Sequence, residues 1–361
     1  MKIVDWYILK KYLITYISIQ ILFVPIAIVL NLADNIDKIL SNQVPFDEVL
    51  EYYYNFTIYF ANSLLPLFLF LSVIWFTSKL ASNSEIIALY SSGYSLKDLI
   101  KPYLIGSAMI AFIALVLGIF IVPDASRDFN EFSYKYLKGS KKSIDDKNIF
   151  RKINDNEYIY LTQFNTKNNI GTNFTLEHFD GNKLKFKINA SNIRYIEKDS
   201  IYRLSNYMKR TITDSVDIIS SKRGLDTLFS FNIGDLTPLN YIAETLNYSE
   251  LVKFINQEKS RGSSNIGRYQ VVKHKKWSIP FSIFILTLIA FSVSSVKRRG
   301  GAGINLAFGI SVAMTYVFFD KVFGVLAQQS DFSPIIAVWF PNFVFGSLAI
   351  YLLYINTNKQ L

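Results

Sequence analysis

Six stretches of roughly 20 mostly apolar residues constrain this chain more than any other feature, because that is the length a helix needs to cross a bilayer. They cover residues 12–32, 56–77, 104–122, 277–296, 304–326 and 334–355. An isolated apolar segment in hydrocarbon must pair its own backbone groups, so each run predicts a helix. Asp320 and Lys321 are the only charges inside a run and lie toward its end, which gives little support to an ion or proton relay through the bilayer. Pro25, Pro66 and Pro341 fall within runs and are expected to bend or loosen their helices. The first run is too long for the apolar core of a cleaved leader, and no small-residue cleavage site follows it. A mean hydropathy of +0.24 is too low for a chain that is all membrane. The sequence therefore joins a bilayer part to a water-exposed part.

Lysine and arginine in the short connections set an orientation. Lys2, Lys10, Lys11, Lys79, Lys97, Lys101, Lys297, Arg298, Arg299 and Lys359 fall on one side, against Lys38 and Lys321 on the other. This bias places both termini and the even-numbered loops in the cytoplasm, and the long segment between the third and fourth runs outside.

That segment, residues 123–276, breaks the composition. Leu184, Phe186 and Ile188 alternate with lysines, and Phe174, Leu176 and His178 alternate with Thr175 and Glu177. Asp180-Gly181 between them is a two-residue hairpin signal. Further strand-like pieces are 157–163, 192–197, 200–208 and 227–232, a pattern that predicts an antiparallel sandwich or jelly roll. Around 249–261 the period becomes helical, with Leu251, Val252, Phe254 and Ile255 on one face and Gly262 as a stop. The organisation expected is membrane helices one to three over 1–122, a β domain over 123–248, a helical return over 249–276, and helices four to six over 277–361.

Several chemistries are excluded. The chain has no cysteine, which removes thiol catalysis and Cys-ligated metals. It has no G-x-x-x-x-G-K-[ST] or G-x-S-x-G segment. Its histidines, His178 and His274, lack ligand spacing and read as surface or strand residues. Arg299-Gly300-Gly301-Ala302-Gly303 reads as a flexible turn rather than an anion site. No metal, no cofactor and no enzyme activity are expected of this chain.

The connection between the second and third runs is the informative one. Ser82-Asn83-Ser84-Glu85 predicts a capping box, with Ser82 as cap and Glu85 reaching back from the third helical position. Ile86, Ile87, Leu89 and Tyr90 follow, and Gly93 ends the helix. A helix over 82–93 is too short to cross a bilayer, so its apolar side needs headgroups or a partner protein. Glu85 offers a carboxylate to a partner's Arg or Lys, to the cap, or to both. At the opposite ends of the first and third helices, Lys38 and Arg127 stand near headgroup level and suit a lipid phosphate. A snorkelling or solvated charge is the plainer alternative for each.

These features resemble the LptF/LptG permeases of lipopolysaccharide export. The resemblance rests on six spans, the β insert, and Thr77-Ser78-Lys79-Leu80-Ala81-Ser82-Asn83-Ser84-Glu85-Ile86-Ile87-Ala88-Leu89. It is carried further by Val4-Asp5-Trp6-Tyr7-Ile8-Leu9-Lys10-Lys11-Tyr12-Leu13, by Lys273-His274-Lys275-Lys276-Trp277-Ser278-Ile279-Pro280-Phe281, and by Ala337-Val338-Trp339-Phe340-Pro341-Asn342. The first segment leans towards LptG. The resemblance implies one half of a permease pair in the bacterial inner membrane, beside a second LptF/LptG-like chain and over an LptB-like ATPase dimer that holds ATP-Mg. It implies that the periplasmic jellyroll hands lipopolysaccharide to LptC-like and LptA-like proteins. Glu85 matches the family's ATPase-contacting glutamate, and Lys38 and Arg127 occupy places where family members hold lipid phosphate. Without the resemblance, a permease for another lipid or a membrane-anchored scaffold or sensor fits the same pattern. The charge distribution argues against nucleic acid: residues 123–276 carry 26 Lys/Arg and 18 Asp/Glu, and the remaining charges sort by membrane side.

Overall fold

The computed structural model describes residues 2–137, 149–165, 169–196, 200–213, 216–229, 231, 241–263, 265–296, 301–330 and 332–358. The chain forms two compact units. One takes residues up to Phe132, Glu244–Tyr248 and the chain from Gly267 onward; the other takes Ser133–Ala243 and Ser249–Ile266.

The first unit is helical. Its elements are α1 (Ile3–Ser41), α2 (Phe46–Ser63), α3 (Leu65–Ser82), α4 (Glu85–Ser91), α5 (Leu96–Val116), a π-helical turn (Leu117–Ile121) and α6 (Val122–Phe132). After the insert come α9 (Ile266–Ser294), α10 (Gly301–Gln329) and α11 (Pro334–Asn358). Among the described residues six helical stretches are long and apolar enough to cross a membrane: α1, α3, the run from α5 through Leu137, α9, α10 and α11. The second expected run, 56–77, is divided. Pro66, at the start of α3, has no N–H to continue the helix from α2, and the spanning segment is Leu65–Ser82. The third run extends well past 122, because the π turn absorbs an extra residue and the helix resumes. Lys276 of α9 donates to the Gly118 carbonyl within that turn at 2.9 Å.

Small residues set the closest helix contacts. A Cβ on Gly106 of α5 would lie 2.2 Å from the Tyr12 ring of α1, and one on Gly309 of α10 would lie 2.0 Å from Ile74 of α3. The core between α1, α3, α5, α9 and α10 contains Ile8, Tyr12, Phe70, Val73, Tyr103 and Phe291. Polar side chains bond across helices: Tyr12 with Thr287 at 3.1 Å, Thr77 with Tyr103 at 2.9 Å, and Asn305 with Ser78 at 3.3 Å. Asn342 of α11 donates to Ser278 of α9 at 2.7 Å and accepts from Tyr316 of α10 at 3.0 Å.

These bonds also order the ends of the bundle. Asn342 meets Ser278 and Asn356 meets Ser292, a constant offset of 64 residues, so α9 and α11 run in the same direction and α10 runs back between them. Asn305, early in α10, meets Ser78, late in α3, and Tyr7, early in α1, meets Glu85. The head of α1, α4, the start of α10 and the final turns of α11 therefore share one end. These are the segments on which the sequence concentrates its lysines and arginines; 297–299 and Lys359 themselves lie outside the described residues.

The second unit carries one antiparallel sheet: β1 (Ile149–Lys152), β2 (Glu157–Leu161), β3 (Gln163–Asn165), β4 (Ile170–Asp180), β5 (Lys183–Ile196), β6 (Ile201–Thr211) and β7 (Ile218–Thr227). The order is β1-β2-β4-β5-β6-β7, with β3 also on β4. Asp180 pairs with Lys183 and Gly181 has φ +59°, so the expected hairpin is present with glycine at the first central position. Phe174, Leu176, Ile188, Ala190 and Leu204 point into one buried face. Asn206 at φ +51° interrupts the alternation of β6, and the inward side chains shift from Tyr202 and Leu204 to Tyr207. Of the strand expected at 227–232, Thr227 is the last residue of β7, the other described residues are in no strand, and Phe229 and Phe231 stack on each other and pack against the sheet core. Residues 230 and 232 lie outside the described residues. Two short helical segments follow, α7 (Ile242–Thr245) and α8 (Tyr248–Ser260), with Gly262 at φ +69° closing α8. Leu251 and Ile255 are buried on its inner face. Arg151 of β1 and Glu258 of α8, each 5% exposed, form an ion pair at 3.1 Å.

Candidate functional site: a short helix between two spans

α4 lies between spanning helices α3 and α5 and is seven residues long. An isolated helix of this length is unstable in water, so its position depends on what it packs against. Ile86 is buried, and Leu89 and Tyr90 are half-buried against the bundle core. Ile87, 50% exposed, together with Ala88 and Ser91, faces away. The helix thus has an anchored side and a free side with an apolar centre.

The expected capping box at Ser82 is not formed. Ser82 belongs to the last turn of α3, where its hydroxyl donates to the Lys79 carbonyl at 3.0 Å. The chain reverses at Ser84, which has φ +62°, and Glu85 is the first residue of α4 rather than its third. The sequence pattern fits a box, but α3 consumes its first residue. The box that does form is Ser95-x-x-Asp98 at the start of α5: Asp98 N–H donates to Ser95 Oγ at 3.2 Å, and Ser95 N–H donates to the Asp98 carboxylate at 3.4 Å. The same S/T-x-x-acid spacing identifies it in the sequence. Gly93, at φ +83°, follows the end of α4 in the left-handed conformation that ends helices.

Glu85 is engaged inside the chain. Its Oε2 accepts from the Tyr7 hydroxyl at 2.9 Å and lies 3.6 Å from Lys11 Nζ, and its Oε1 accepts from Asn83 at 3.2 Å. Lys11 also donates to the Tyr7 hydroxyl. Tyr7 and Lys11 were not singled out from the sequence as site residues; the stretch 4–13 was, without a role for either.

The two basic candidates have different surroundings. Lys38 sits exposed in the last turn of α1. Arg127, in α6, is 3.1 Å from the Asp124 carboxylate and donates to the Thr245 carbonyl at 3.2 Å. A different charged pair stands nearby in the sequence logic: Lys275 of α9 and Asp320 of α10 are bonded at 2.7 Å, so the acid noted inside the fifth run is neutralised by a neighbouring helix. Among the described residues no group of three or more His, Asp or Glu side chains is arranged to hold a metal.

A family model described as lipopolysaccharide export system permease LptF/LptG matches residues 6–355. The chain belongs to the LptF/LptG family. It is therefore a multi-pass membrane protein and, at the level of the family, a permease of lipopolysaccharide export. None of the curated proteins compared with the sequence matches it significantly. Within this LptF/LptG chain, the connection between the second and third spans, which carries the resemblance most specifically, is the segment that the structure shows as α4.

Proposed function

We propose that this chain is one half of the membrane pair of an ABC-type lipopolysaccharide exporter. It sits in the bacterial inner membrane with α4 and both termini in the cytoplasm and the β unit in the periplasm. α4 docks on an LptB-like ATPase dimer that binds ATP-Mg, and a second LptF/LptG-like chain completes the cavity. The observation that carries this reading is α4 itself: a helix anchored through Ile86 and Leu89 that presents Ile87, Ala88 and Ser91 at the end where the basic connections gather.

ATP binding closes the ATPase dimer and displaces α4. The adjoining spans then narrow the cavity and drive acyl chains upward. Work is transmitted only if the lipid binds the open and closed states with different affinity. Lys38 and Arg127 are the proposed phosphate contacts. Lys38 is free to reach a headgroup, whereas Arg127 reaches one with the donors left by Asp124 and Thr245. The β unit passes the lipid to LptC-like and LptA-like jellyroll proteins.

The test is co-purification of the ATPase with full-length chain. Ile87→Glu places a charge at the centre of the exposed face and is expected to abolish ATPase recruitment while the protein stays folded in membranes. Normal recruitment and normal surface lipopolysaccharide in that variant would refute the docking role. Lys38→Glu with Arg127→Glu is expected to reduce lipid crosslinking, and unchanged crosslinking removes both from the site.

A further inference from the structure

The resemblance implies a partner for the Glu85 carboxylate; within the chain it also faces the first helix. Both of its oxygens have partners, Tyr7 on Oε2 and Asn83 on Oε1, with Lys11 beside them. A second contact lies just beyond the other end of α4. The Tyr94 hydroxyl donates to Asp5 Oδ1 at 2.9 Å, and Asp5 Oδ2 accepts from the Lys2 backbone N–H at 2.8 Å. Lys2 Nζ lies 4.6 Å from the centre of the Tyr94 ring. Asp5 is 4% exposed, so this contact is shielded from competing water. Between the two contacts Ile86, Leu89 and Tyr90 belong to the same apolar cluster as Val4 and Ile8. The head of α1 thus holds α4 at its first residue and just past its end.

We propose that Tyr7, Lys11 and Asp5 are positioning residues that lock α4 to the head of α1, so that the two move as one body, and that Glu85 serves this internal lock. The proposal rests on the reading of α4 as the docking helix. It adds the route by which displacement leaves that helix. α1 is a single helix of 39 residues, on the order of 60 Å long, with Pro25 inside it. Force applied to α4 reaches the membrane through α1 as well as through α3 and α5. Partner contact on the exposed face of α4, at Ile87, Ala88 and Ser91, is passed to α1 through Glu85.

The absence of native cysteine makes a direct test practical. Spin labels on Ile3→Cys and Ile87→Cys, both exposed in the parent, report the separation of the two segments in full-length protein in nanodiscs. The parent is expected to give one narrow distance distribution. Tyr7→Phe combined with Lys11→Met is expected to broaden it or add a second population, and Lys11→Arg with Tyr7 retained is expected to restore the parent width. An unchanged width in the Tyr7→Phe and Lys11→Met protein overturns the lock. In the assembled complex, Tyr7→Phe is expected to keep ATPase recruitment while lowering lipid released per ATP by roughly five-fold or more, the lower range of coupling between sites. Combining it with Glu85→Gln should be no worse than either alone. Loss of recruitment in Tyr7→Phe, or additive losses in the pair, also overturns the proposal. If the parent chain recruits no ATPase, the docking reading fails, and the spin-label distances still decide the lock.

Discussion

Two glutamates show how surroundings decide what a carboxylate does. Glu85 is partly exposed and shares its charge with a phenol, an amide and a lysine; Glu258 is buried against Arg151, with Arg261 3.5 Å away. An exposed pair contributes little to stability, while a buried one is costly to break because the survivor is left charged and unpaired. Arg151→Ala leaves Glu258 with only the more distant and more exposed Arg261, and is expected to destabilise the β unit by up to about 3 kcal/mol, the lower end for a broken buried pair. Replacing both partners, as Arg151→Met with Glu258→Leu, is expected to recover most of that loss. Thermal unfolding followed through the sheet's circular dichroism checks this; a double variant as unstable as Arg151→Ala would mean the pair is not the cause. Tyr94 gives a pH prediction. Burial, and then its bond to the Asp5 carboxylate, push its phenol up to about 12. The folded state thus holds the proton more tightly than the unfolded state does, and the Tyr94 contribution is complete below the ordinary phenol value near 10 and lost as pH rises from about 10 to 12. Tyr94→Phe is expected to lower stability near neutrality, where the bond to Asp5 is intact in the parent, and to flatten the profile over that alkaline window.

At the level of elements, close approach does most of the work in the helical unit. Gly106 lets Tyr12 pack against α5, and any side chain there meets the ring. Gly106→Val is expected to cost about 1–3 kcal/mol by overpacking, read as a lower midpoint for unfolding in detergent. Asn342→Leu removes the clasp joining α9, α10 and α11 and should cost about 1 kcal/mol; a midpoint equal to the parent's would show that Ser278 and Tyr316 find other partners. The spans themselves were legible because length and apolarity are local properties. Their ends were not. Pro66 divides the second run, and the π turn at Leu117 carries the third onward, since both depend on backbone bonding rather than composition. β4 and β5 were legible from alternation and a turn. β7 was missed because it is a sheet edge with Ile218 and Ile219 both exposed, so neither face imposes a pattern. The short helix at α4 was legible, its cap was not: Ser82 and Ser95 carry the same spacing to an acidic residue, and only the extent of α3 decides between them. The Glu85–Tyr7 contact spans 78 residues of chain and leaves no local signal.

For the whole molecule, the charge sorting read from sequence and the bundle geometry arrive at the same partition by independent routes. Counting lysines and arginines says which connections share a side. The Asn342–Ser278 and Asn356–Ser292 bonds, with Asn305–Ser78 and Tyr7–Glu85, say which helix ends lie together. Neither route depends on the other, and the bundle geometry alone does not say which end faces the cytoplasm; that assignment rests on the positive-inside rule. A labelling experiment separates the two ends. In an otherwise cysteine-free chain, Ile87→Cys lies on the exposed face of α4 and Ser221→Cys on the exposed edge strand β7. In spheroplasts, from which the outer membrane has been opened, a membrane-impermeant maleimide is expected to modify Ser221→Cys at once. It should modify Ile87→Cys only after the inner membrane is disrupted. The reverse pattern would invert the protein and remove α4 from reach of any ATP-driven partner. Labelling of both sites in intact spheroplasts would refute the reading of the 96–137 stretch as the crossing between Ile87 and Ser221.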